Sequence, residues 1–164
     1  FNNALFSLDS IYKDDFQNKI RFTRATFYFG NPHYKNNSDS LIGSSQKKYV
    51  LINPTIEKYP FDTVPNELFT QIDFVIGVDS NTNNTNPIDY PSENSLSQQS
   101  PFMHWDMSPP SYLFIVLEGE LDKNNNDNFD SDFLFHIGGD GLPLTSKIFP
   151  LIYYKLKILN MKFN

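Results

Sequence analysis

The chain contains no cysteine. That removes disulfide frameworks, Cys-ligated zinc, iron–sulfur clusters and thiol catalysis in one step. It leaves the compartment open, because secreted bacterial β-proteins often lack cysteine too, and a lipoprotein's anchoring cysteine would lie upstream of Phe1. Basic residues are also short: 13 Lys and Arg against 19 Asp and Glu give a net charge of −6. Nucleic-acid binding, which needs a basic face, is disfavoured by that balance. The deficit is uneven, since Lys147, Lys155, Lys157 and Lys162 make the segment after Ser146 +4 and leave −10 for the rest. No apolar run reaches the roughly 18–20 residues of a membrane span.

Internal repeats and interdomain linkers are lacking as well, so the simplest organisation is one domain over residues 1–164. A domain of this length buries roughly 70% of its unfolded surface and needs neither disulfide nor metal to fold. The chain opens on Phe1, not Met, and reads as a mature or trimmed product with no signal peptide to inspect.

What the chain has in abundance is aromatic side chains and turn formers. Aromatics are 16% of residues, with 16 Phe and 9 Tyr, and Asn is very common. Phe and Tyr suit pleated, half-buried surfaces, while Asn, Pro and Gly punctuate turns. Period-two patterning predicts strands over 21–29, 48–52, 69–78, 112–121 and 133–137. Gly30-Asn31-Pro32 is expected to end the first of these and Asn53-Pro54 the second. Residues 36–46 read as a polar loop, and residues 79–100 as a long Asn/Ser/Pro loop, little protected and with only Ile88, Tyr90 and Leu96 to pin it. The tail from about 147 fits either a last strand or a short amphipathic helix. Short strands with long polar loops and no other convincing helix predict an all-β fold, an antiparallel β-sandwich.

Several motifs have plain structural readings. Residues 122–130 place oxygen ligands as a calcium loop does, but Asp127 replaces the glycine at position six and Phe133 the acid at position twelve, so a solvated hairpin fits better. Gly138-Gly139-Asp140-Gly141 lacks the Lys-Ser/Thr and the helix of a phosphate cradle, and reads as a turn. Asn36 and Asn83 begin glycosylation sequons that an Asn-rich chain produces by chance. Asp73, Asp79, Asp106 and Glu118 are carboxylates that glycoside hydrolysis would need in pairs, but acids flanking strands usually cap loops. No nucleophile-elbow pattern surrounds any Ser. The chain is expected not to be an enzyme.

Two islands remain. One is Pro101-Phe102-Met103-His104-Trp105-Asp106-Met107, and the other is Phe133-Leu134-Phe135-His136-Ile137-Gly138-Gly139. They hold the only Trp, two of the three His and two of the three Met. Thioethers, imidazoles and an oxidisable indole suit a soft metal, above all Cu(I); the same residues also make ordinary core. On an extended segment Met103 and Trp105 share parity, so His104 is an alternative to Met103 as a ligand and not its companion.

Phe74-Val75-Ile76-Gly77-Val78-Asp79-Ser80, Met103-His104-Trp105, Tyr112 through Leu117-Glu118-Gly119, and Phe135-His136-Ile137-Gly138-Gly139 occur in the order and spacing of the MbnP-like copper-binding domain. Ile20 to Tyr28 resembles that family's early strand, and the resemblance runs from about Leu8 to Thr145. It implies an exported, non-enzymatic copper-binding protein of the kind found in Bacteroidetes and methanotrophs, periplasmic or lipid-anchored at the cell surface, acting in copper acquisition or handling. It implies copper held by His136 together with Trp105 oxidised to kynurenine, with Met103, His104 or Met107 able to complete the shell. The implied partners are a di-haem cytochrome c peroxidase-like enzyme that oxidises the Trp, or outer-membrane transport and surface proteins. The chain departs from the family at Met107, where a second aromatic is usual, and at Pro109-Pro110-Ser111. It departs again in the basic tail from about 147 and in beginning after the place of a first strand. Two rival readings use the same sandwich without metal: an interaction or structural module of a surface assembly, and a carbohydrate-binding module stacking sugars on exposed Tyr and Trp.

Overall fold

A computed structural model describes residues 6–45, 47–56, 58–59, 69–106, 110–139 and, for the backbone, 144–148. Met107, Pro109, Gly141 and the tail beyond Ile148 lie outside these. The described strands are β1 (Ile11–Lys13), β2 (Lys19–Lys35), β3 (Leu41–Ser44), β4 (Tyr49–Ile52), β5 (Gln71–Ile76), β6 (His104–Trp105), β7 (Ser111–Asp122), β8 (Ser131–Gly138) and β9 (Leu144–Ile148). Every pairing among these described strands is antiparallel. The all-β expectation holds, as a curled sheet along β6-β7-β2-β5-β9, with β1, β3 and β4 added to β2 and β8 to β7. The only helical pieces among the described residues are α1 (Ser80–Asn83) and a 3-10 turn at Pro87–Asp89.

The seventeen residues of β2 organise the rest. Its first half pairs with β7, from Lys19 opposite Asp122 to Phe27 opposite Ile115, and its second half pairs with β5, from Phe29 opposite Ile76 to Lys35 opposite Gln71. Gly30-Asn31-Pro32 does not break it, contrary to expectation. The register shifts between Gly30 and His33, with Asn31 at φ 54°. A bulge absorbs a proline that has no N–H to give to the ladder.

Because strands lie on both sides and side chains alternate, residues 25–30 of β2 are buried on both faces. One face carries Phe27 and Phe29, packed with Val50, Ile52 and Phe74. The other carries Tyr28, packed with Tyr49, Val78, Leu96, Met103, Tyr112, Phe114 and Val116. Tyr28 and Tyr112 meet edge to face at 5.7 Å, a contact worth about 0.5–1.5 kcal/mol beyond the area it buries. Gly77, at φ 114°, lies so close to the Phe114 ring that a Cβ there would stand 2.7 Å from it; only glycine fits where β5 turns out of the sheet.

The expectation of a loosely held loop over residues 79–100 is corrected. The loop lies over the Tyr28 face, where Leu96, Ser97, Thr82 and Asn83 are buried. The Tyr28 hydroxyl donates to Ser95 O at 3.1 Å and the Tyr112 hydroxyl to Leu96 O at 2.8 Å. Asn83 Oδ1 accepts from Tyr112 N at 2.8 Å. Of the three expected pins, Leu96 is buried in the Tyr28 cluster and Tyr90 packs against it, while Ile88 is 73% exposed. The polar composition misled because the loop is anchored by hydrogen bonds to buried tyrosines, which apolar patterning does not register.

Candidate functional site

The site begins in the middle of the sheet, where β2, β7 and β8 lie side by side. Arg24 faces Glu118 across the β2–β7 ladder, and Val116 faces His136 across the β7–β8 ladder. Glu118 Oε1 lies 3.1 Å from Arg24 Nη1 and 2.8 Å from His136 Nε2. One carboxylate oxygen therefore joins a guanidinium on one strand to an imidazole on the next strand but one. The His136 side chain is 31% exposed. The surrounding β8 surface is apolar and open, with Leu134, Phe135 and Ile137 all exposed.

Trp105 arrives from the other island. β6 pairs with the start of β7, Trp105 opposite Ser111 and His104 opposite Tyr112. The half-buried Trp105 ring then lies over Gly138 at the end of β8. A Cβ on Gly138 would stand 3.2 Å from Trp105 Cζ3 and would collide with Tyr112 O. His136 and Gly138 are two residues apart on one strand and so share a face. Their separation along the strand is about 7 Å. The topology thus brings Trp105 and His136 into one neighbourhood, with a glycine as the space between them.

Met103 and His104 sit differently. Met103 is buried in the Tyr28–Tyr112 cluster, on which Trp105 also packs; His104 meets the same cluster through Tyr112, so the alternation expected along this segment does not separate the three. Its Sδ lies 3.1 Å from Arg24 Nη2, so the thioether faces a cation. The His104 ring stands edge-on to Tyr112 at 5.0 Å. Its Nδ1 is 3.2 Å from Asp106 Oδ1, and its Nε2 is buried without a hydrogen-bond partner. Among the described residues no three His, Asp or Glu side chains converge as a metal-binding group.

Arg24 is the residue whose importance was hidden. A charged residue within the strand expected over 21–29, it has a side chain only 13% exposed. Besides Glu118 and Met103, its Nη2 donates to Phe102 O at 2.8 Å and Pro101 O at 3.3 Å. The signal was an arginine directly before Ala25-Thr26-Phe27-Tyr28-Phe29, a stretch bulky enough to bury what precedes it. Such a charge is tolerated there only if it is paired.

The other candidate groups have structural work. Asp122 is fully buried, accepts from Asn126 N and Asp127 N, and lies 3.9 Å from Lys19 Nζ, so it closes the hairpin. Asp73 pairs with Lys35 at 2.8 Å. Asp79 caps α1, accepting from Thr82 N, and binds Lys48 and the Tyr49 hydroxyl. Burial pushes the Asp79 carboxyl up, but these three donors outweigh it and hold the group well below the usual carboxylate range. Burial of Tyr112 pushes its phenol up to about 12, so it stays neutral. The sequon at Asn83 is not a free one, since Asn83 is 1% exposed.

No helix among the described residues is long and apolar enough to cross a membrane. No curated protein and no solved structure matches the chain. The MbnP family model matches residues 1–163, which takes in both islands and the strands that join them, and the chain belongs to the MbnP family.

Proposed function

We propose that this chain is an exported, non-enzymatic copper-binding domain, with His136 and Trp105 at the core of its metal site. The observation that carries the reading is the seat of the Trp105 ring on Gly138, two residues along the same face from His136. The chemistry of the donor set fits copper. A neutral imidazole is a good copper ligand, and the amine and carbonyl of a kynurenine formed from Trp105 add nitrogen and oxygen donors. Trp105 is half-buried, not sealed in the core, as its oxidation by a partner, a di-haem enzyme of the peroxidase kind, requires. Bound copper would supply the cargo of an acquisition or handling pathway at the periplasm or outer surface. His104 and Met107 remain alternatives for completing the shell. Met103 is less suited to a cation, because its sulfur already faces the Arg24 guanidinium.

The test is copper retention after expression with export, read by elemental analysis, together with mass spectrometry of the Trp105 peptide. Wild type is expected to retain copper, and His136→Ala to lose it while keeping its β-sheet spectrum. Stoichiometric Cu(I) in His136→Ala, or none in wild type, would overturn the assignment. A second reading, a metal-free module of a surface assembly, draws on the exposed Leu134, Phe135 and Ile137 of β8. It predicts a binding partner for that strand and an unmodified Trp105.

A further inference from the structure

We infer that Glu118 and Arg24 are the positioning pair of the metal-binding face. Glu118 sets which nitrogen of His136 meets the metal, and Arg24 ties that histidine to the segment that carries Trp105. The inference rests on the copper reading above and names the residues on which its geometry depends.

The argument starts from the hydrogen-bond inventory. A carboxylate only accepts, so the 2.8 Å contact between Glu118 Oε1 and His136 Nε2 puts the imidazole proton on Nε2. In the neutral ring Nδ1 is then the lone-pair nitrogen and the one offered to a metal. A carboxylate behind a ligating imidazole fixes its tautomer and orientation and raises its basicity. Glu118 is itself held, because the same oxygen lies 3.1 Å from Arg24 Nη1.

Arg24 does a second thing through its other terminal nitrogen. Nη2 donates to Phe102 O and Pro101 O and faces Met103 Sδ. Those three residues lead directly into His104 and Trp105. A single planar guanidinium therefore grips Glu118, which orients His136, and the chain that delivers Trp105. Its fork geometry lets one side chain serve both, which an ammonium on a flexible stem cannot reproduce. Met103 on this account is not a ligand; it is part of the seat of Arg24.

The experiment uses ¹⁵N-labelled full chain in two stages, the metal-free one on chain whose Trp105 is the unmodified indole and the metal one on exported chain in which mass spectrometry has shown Trp105 to be oxidised. Without metal, above the imidazole titration range, long-range ¹H–¹⁵N correlation should report His136 as the Nε2–H tautomer with an ordered ring. Glu118→Ala should free the ring, whereas Glu118→Gln, whose carbonyl still accepts, should largely keep it ordered. Arg24→Lys retains a charge for Glu118 and protects the fold. It should still release residues 101–103, seen as a red-shifted, more mobile Trp105 fluorescence. With the diamagnetic Cu(I) ion added, Nδ1 of His136 should shift, not Nε2. Glu118→Ala should weaken Cu(I) binding by about 10–100-fold, the usual effect of removing such a partner. Metal meeting Nε2, a ring equally ordered in Glu118→Ala, or Trp105 fluorescence unmoved in Arg24→Lys would overturn the positioning role. Absence of copper binding in wild type would overturn the copper reading instead, and the metal-free stage would still decide the arrangement.

Discussion

Gly138→Ala tests whether Trp105 really rests on the end of β8. The added methyl is crowded by three atoms, among them Leu113 Cα at 3.3 Å, and two of them decide the outcome. One is Tyr112 O, a backbone atom of β7 held between neighbouring strands, and the other is Trp105 Cζ3 at 3.2 Å. The backbone atom cannot retreat without disturbing the β7 ladder, so the ring and the end of β8 must give. Overpacking of this kind costs about 1–3 kcal/mol. For a domain of this size each kcal/mol moves the melting temperature by roughly 2–4 °C. A loss on the order of 5 °C is expected, with a red shift of the emission as the single tryptophan moves toward water. Gly139→Ala is the control. Gly139 has φ 106° but nothing within 4 Å of an added Cβ. It should cost about 1–2 kcal/mol through its left-handed backbone alone and leave the Trp105 emission unchanged. Tryptophan emission that is unmoved in Gly138→Ala, or that moves equally in both variants, would refute the contact.

Two further outcomes follow from the loop and its caps. Asn83→Ala leaves the buried Tyr112 N–H and the Ser111 hydroxyl without the Oδ1 acceptor they share. It should lower the unfolding free energy in urea by about 1–3 kcal/mol, and amide exchange over residues 80–97 should quicken while β2 and the middle of β7 stay protected. Asp79→Asn should make stability less sensitive to acid. A carboxyl held below its unfolded value near 3.8 contributes fully above that value, and its contribution is lost as the pH falls below it. The gap between wild type and Asp79→Asn in thermal melts should therefore be constant above about pH 5 and shrink below about pH 4.

The strands expected over 21–29, 48–52, 69–78, 112–121 and 133–137 correspond to β2, β4, β5, β7 and β8; β4, only four residues long, was legible because Tyr49-Val50-Leu51-Ile52 is an unbroken apolar run. Residues 112–121 and 133–137 alternate or run apolar for long enough to declare themselves, and β7 and β8 extend them by one or two residues at each end. β1, β3 and β6 are two to four residues long, too short for any period to show. They exist because β2 and β7 offer them ladder positions, a tertiary cause that no local window contains. The same holds for β2 beyond Gly30. A glycine, an asparagine and a proline in succession look like a stop, yet partners on both flanks carry the strand through a bulge.

The candidate site was legible by residue type but not by support. Trp105 and His136 drew attention because their side chains suit a soft metal and because they stand in motifs that resemble those of the MbnP family. Arg24 and Glu118 are common residues whose meaning is positional: each pairs across a strand, and the two together reach His136 on one side and residues 101–103 on the other. Glu118 was weighed as half of a catalytic pair of acids, a reading that needs a second carboxylate nearby. Its actual neighbours are a guanidinium and an imidazole, and that changes the chemistry open to it. Between two carboxylates a proton can be shared and traded. Between Arg24 and His136 the Glu118 carboxylate accepts from both neighbours, from the guanidinium and from the imidazole, so it fixes the ring relative to β2. That contact is the one the positioning role proposed for the pair requires, and Glu118→Ala, which removes it, is the variant that decides whether the ring is held.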